Sequence, residues 1–85
     1  MTDIEYFNDP IALMVTINAM GEVSPRQFDW RDQQYTIVSV GRQWQTEDGR
    51  HVLVEIPNGD RFELHLDRAD LRWRIIKAWR TLAAV

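Results

Sequence analysis

The sequence contains no cysteine. That removes disulfide staples, thiolate metal sites and thiol nucleophiles together. It also lacks a long apolar run. The longest, Ile11 to Val15, falls far short of the ~20 residues a membrane helix needs. No basic start followed by an apolar stretch is present, so no secretory signal is expected, and the cytoplasm is the expected compartment. The glycines at 21, 41, 49 and 59 are isolated, which excludes a Gly-rich phosphate loop. Neither Ser24 nor Ser39 lies in a Gly-x-Ser-x-Gly elbow. The expectation is therefore a non-enzymatic chain with no catalytic residues and no cofactor.

What is present is a globular composition: 85 residues, 45% apolar and 27% charged. That size reads as one domain over residues 1–85, with an ordered core over about 11–79. So short a chain buries only a little over ~60% of its unfolded surface. Its nine aromatics, four of them Trp, answer part of that shortage.

Residues 51–66 are the most informative stretch. Val52, Val54 and Ile56 alternate with polar neighbours, as do Phe62, Leu64 and Leu66, which is strand periodicity. Pro57-Asn58-Gly59 lies between them. A two-residue turn would mix the faces. A three-residue loop sets Val54 against Phe62 and Val52 against Leu64, and Gly59 supplies a left-handed bulge residue. The same logic applied to residues 46–50 pairs Trp44 with Val52 and Val40 with Ile56, with a bulge at Gly41. Residues 35–45 then read as one long strand. Upstream, Gln27 to Trp30 alternate and residues 31–34 turn.

Both ends are ambiguous. Residues 10–20 carry helix punctuation, Asp9-Pro10 before and Gly21 after. Yet Ile11, Leu13, Val15 and Ile17 alternate as a strand does, and the strand is preferred. Residues 71–85 pose the same choice. A strand through Trp79 puts Leu71, Trp73, Ile75 and Trp79 on one face and Arg72, Arg74 and Arg80 on the other. The expected fold is all-β, a five- to six-stranded antiparallel meander, as a curved sheet or small barrel, with one short terminal helix as the variant. The uncharged strand at 11–17 should be covered, leaving Met14 largely buried, either by the C-terminal strand closing on it or by a dimer.

Residues 25–37, Pro-Arg-Gln-Phe-Asp-Trp-Arg-Asp-Gln-Gln-Tyr-Thr-Ile, resemble the opening of a bacterial family of small uncharacterised domains, DUF6504. Trp44, the Gly59 to Leu64 strand and the Asp67 to Trp79 segment are similar to its later motifs. The chain departs from that pattern at Asp32, where the family usually has Gly, and its Thr46–Arg50 turn is shorter. Asp tolerates the left-handed backbone such a turn needs. The resemblance implies the meander rather than an activity. Relatives beside or fused to translesion-polymerase-like proteins imply a link to DNA metabolism.

His51 and His65 fall near each other on the outward face with Glu55 and Glu63. Such a set could hold a divalent metal, but no ligand spacing supports it, and solvated cross-strand pairs are the preferred reading. Charge is uneven: residues 1–24 carry net −4, residues 25–66 net −2 and residues 67–85 net +3. Arg72, Arg74 and Arg80 therefore form the candidate binding surface. The expected function is a protein-interaction or accessory module of a bacterial cytoplasmic system, with an unidentified protein partner, no membrane, and a monomeric or homodimeric state. The alternative is a single-stranded nucleic-acid-binding accessory domain in repair or translesion synthesis, which a net charge of −3 disfavours.

Overall fold

The computed structural model describes residues 2–81, with side chains described for 3–80. The described residues form eight strands and no helix. They are β1 Thr2–Pro10, β2 Ala12–Ile17, β3 Val23–Trp30 and β4 Gln33–Thr36, then β5 Ser39–Thr46, β6 Gly49–Glu55, β7 Arg61–Asp67 and β8 Trp73–Thr81. A five-stranded sheet has the order β1-β8-β7-β6-β5, and a three-stranded sheet the order β2-β3-β4. All pairings are antiparallel and neither sheet closes into a barrel. None of the described residues forms a helix long and apolar enough to cross a membrane.

The expected all-β class holds, as does the β6–β7 register: Val54 faces Phe62 and Val52 faces Leu64. Gly59 sits at φ +91°, the left-handed bulge position. The core lies between the sheets. Phe28 and Trp30 of the smaller sheet meet Val52, Val54, Phe62, Leu64, Ile75 and Ala78 of the larger. Phe28 and Trp30 meet the Phe62 ring edge-on at 5.3 and 6.0 Å, a geometry that adds about 0.5–1.5 kcal/mol per pair beyond area burial.

Several expectations are corrected. The described residues hold eight strands, not five or six, and these begin at Thr2 rather than near residue 11. The segment 35–45 is not one strand. The Ile37 N–H binds the Arg26 carbonyl and the Val38 N–H binds the Glu55 carbonyl, so the chain steps from one sheet to the other at that point. Trp44 faces His51, not Val52, and Val40 faces Val54. The turn has two residues because Gly49, at φ +141°, can enter the strand directly. The bulge does fall between Val40 and Gln43, around Gly41. The Arg31-Asp32 turn puts both residues at positive φ, 50° and 63°, so Asp32 does hold the left-handed position.

The C-terminal strand does not close on residues 11–17. It takes β1 as its neighbour instead, because Thr2–Pro10 is itself a strand. Met14 is accordingly 59% exposed rather than buried. Within β8, Lys77 faces Glu63 but Ile75 faces Leu64, leaving Ile76 as one extra residue. This bulge reverses the side-chain phase. Ile75 and Ala78 both point into the core, and Trp79 does not join them.

Candidate functional site

Three features could carry function: a polar-aromatic cluster on the outer face of the larger sheet, the arginines of β8, and the arm made by β2 and β3.

The cluster grows from strand alternation. Val52, Leu64 and their neighbours point inward, so His51, His65 and Glu63 point outward. They are nonetheless buried, at 8%, 7% and 6% exposure, which corrects the expectation that they are solvated. Trp44 of β5 is the cause. Its ring lies parallel to His51 at 5.1 Å between centroids, and His65 flanks the other side at 4.4 Å. His51 Nδ1 lies 3.0 Å from Glu63 Oε2, and Nε2 lies 2.9 Å from Thr46 Oγ1. A carboxylate accepts and does not donate, so hydrogen-bond roles place the imidazole proton on Nδ1 and leave Nε2 to accept from the Thr46 hydroxyl.

Hydroxyl, imidazole and carboxylate in a chain have the connectivity of an activated nucleophile. The geometry does not develop it. The nearby Asp48 N–H donates to Thr46 Oγ1 itself, at 3.3 Å, rather than to a point where an oxyanion would form. No group of three metal-ligating side chains is assembled among the described residues. The cluster is a cross-strand hydrogen-bonded network under an aromatic lid.

The arginines singled out by the sequence are separated. Arg72 is exposed beside the Asp67–Asp70 turn. Arg74 binds Asp67 at 3.2 Å and Asp70 at 2.8 Å. The Arg74 hydrogen bond holds the Asp70 carboxyl below its ordinary value. Beyond the Ile76 bulge, Arg80 turns to the other face. There it grips Glu5 with two bonds of 2.7 and 2.6 Å and covers Trp30 at 5.5 Å. The three do not form one surface, and two are already neutralised.

The arm was only partly legible. Among the described residues, the exposed large apolar side chains include Met14, Val15, Ile17, Met20 and Val23 on β2, β3 and their turn. Val38 and Val40 are also exposed, at the arm's base, where Ile37 ties the chain to Arg26. The sequence marks 11–17 as an uncharged strand in need of a cover, which the structure does not supply, and gives no special weight to Met20 or Val23. An apolar residue beside a turn glycine, Met20-Gly21, was the available signal.

The family model for a domain of unknown function, DUF6504, matches residues 1–83. The chain belongs to this family. No curated protein and no solved structure matches the DUF6504 chain. The residues that carry the resemblance fall on structural positions: Phe28 and Trp30 in the core, Tyr35 stacked on Phe28 at 5.0 Å, and Glu63 in the buried network.

Proposed function

We propose that this chain is a small non-enzymatic interaction module of the cytoplasm, working as an accessory to a larger protein, and that the β2–β3 arm is its contact element. The observation that carries the reading is the concentration of exposed apolar side chains there, with Ile17 66% and Met20 83% exposed. Contiguous exposed apolar surface is uncommon on monomeric proteins and marks interaction sites. The arm is also preformed. Asn18 Oδ1 accepts the N–H groups of Met20 and Glu22 at 2.9 and 3.0 Å, and the Gly21 N–H binds the Asn18 carbonyl. A partner therefore need not order the tip, which lowers the entropic cost of docking.

A photo-crosslinking residue at Met20, compared with one at Glu47, tests this in cells. The expected result is one defined adduct from position 20, lost in Ile17→Asp, and none from position 47. Equal labelling at both positions overturns the reading.

A second reading rests on Trp44, which is half-buried with the Arg42 guanidinium 5.1 Å from its ring. An aromatic beside a cation that has no ion-pair partner among the described residues suits single-stranded nucleic acid. Oligonucleotide binding measured by anisotropy at low salt, lost in Trp44→Leu, would favour it. The neutralisation of Arg74 and Arg80 leaves it less support.

A further inference from the structure

We infer that the free edge of β2 pairs antiparallel with the β2 edge of a second copy of this chain, joining two three-stranded sheets into one. This deepens the interaction reading and rests on it.

The argument begins with how the four sheet edges are protected. Natural edges are blunted by charge, proline, a bulge or brevity. β1 carries Asp3, Glu5, Asp9 and Pro10, and its register shifts between Tyr6 and Asp9. β5 carries Arg42 and the bulge at Gly41. β4 has only four residues. β2 has none of these devices. Ala12–Ile17 contains no charge and no proline, and in its pairing with β3 the extra residue, Arg26, lies on β3, leaving β2 regular.

The backbone direction follows from Pro25 and Asn18. Val15 faces Pro25, which has no N–H to give and so cannot exchange hydrogen bonds with it. The Asn18 N–H donates to the Glu22 carbonyl. Alternation along an antiparallel ladder then turns the N–H and C=O of Leu13, Val15 and Ile17 toward the open edge.

A two-fold axis at Val15 satisfies those groups. Val15 then faces Val15 of the second copy, Leu13 faces Ile17, and Met14 faces Thr16. Every opposed pair is uncharged, so the strand meets its own image without repulsion. A charged partner strand would gain no ion pair from β2. The self-complementary register about Val15 is the feature that favours a second copy over a charged strand of another protein.

Sedimentation equilibrium over a wide concentration range tests the pairing on the full chain. The wild type is expected to dimerise. Val15→Lys and Val15→Glu, each placing like charges at the axis, are expected to weaken the dimer by about tenfold or more. Mixing the two variants is expected to restore a heterodimer, which also shows that both still fold. Hydrogen exchange is expected to protect the amides of Leu13, Val15 and Ile17 only as concentration rises. A wild type that stays monomeric at millimolar concentration overturns the inference, as does a dimer indifferent to both variants. If the monomer persists while Met20 still crosslinks to one other protein, self-pairing fails and the interaction reading stands.

Discussion

The Trp30 indole N–H donates to the Asp9 carboxylate at 2.8 Å, a bond that ties the smaller sheet to the β1 edge of the larger. Arg31 closes on the same oxygen at 2.9 Å. Trp30 is otherwise buried among Phe7, Tyr35 and Phe62. Its N–H therefore depends on Asp9. Asp9→Ala should cost about 1–3 kcal/mol, the penalty of a buried donor left unpaired. The urea midpoint reads the loss, and Asp9→Asn, which keeps an acceptor oxygen, should recover part of it.

Acid should act through the same region. The Trp30 hydrogen bond, aided by Arg31, holds Asp9 below its ordinary 3.8, and Arg80 holds Glu5 below its ordinary 4.5. A carboxylate whose folded pKa is depressed stabilises the fold fully above its unfolded pKa and loses that contribution as pH falls through the folded one. The stabilisation from these two carboxylates should thus be constant near neutrality and be lost below the ordinary carboxylate range, which the melting temperature reads. The Asp9→Asn, Glu5→Gln double variant should show a shallower acid limb from a lower plateau.

Two turn glycines separate conformational strain from collision. Gly59 has φ +91° and open space around a hypothetical Cβ, so Gly59→Ala should cost about 1 kcal/mol from backbone conformation alone. At Gly49 a Cβ would fall on the Leu66 carbonyl oxygen, and φ is +141°. Gly49→Ala should be clearly worse, because backbone must move. Chemical denaturation of the two variants side by side tests the order.

The buried network predicts a paired effect. His51→Ala leaves the Glu63 carboxylate without its ring partner and removes the surface on which Trp44 stacks. Stability should fall by about 1–3 kcal/mol, and acrylamide should quench Trp44 more readily. Trp30, at 2% exposure, should stay protected in the wild type and in this variant alike.

The β6–β7 hairpin was readable because Pro57-Asn58-Gly59 allowed only one loop length that gathers Val52, Val54, Phe62 and Leu64 on one face. β1 was not readable because its pattern is inverted. Ile4 and Tyr6 are exposed, while Glu5, Phe7 and Asp9 turn inward to meet Arg80, Trp30 and Arg31. Hydrophobic periodicity has no grip on a strand whose inward groups are carboxylates with partners far along the chain. Arg80 leaves the face of Arg72 and Arg74 for a related reason: strict alternation does not run through β8, because one unpaired residue, Ile76, breaks it. The sequence sets His51 beside His65 on one face with Glu63, but their burial depends on Trp44 sliding one place, which only the length of the Glu47-Asp48 turn decides.

That unpaired residue, Ile76, gives β8 two halves that are out of step. The first half follows the core through Trp73 and Ile75, the second through Ala78 and Arg80. Removing Ile76 would take one apolar side chain and no charge from the strand, yet it would swing Trp79 toward the core and Arg80 away from Glu5. The spacing between Trp73 and Arg80 is thus a structural quantity in its own right. Among relatives of this domain, a one-residue gap there would signal a rewired β1–β8 seam even where every matched side chain is identical.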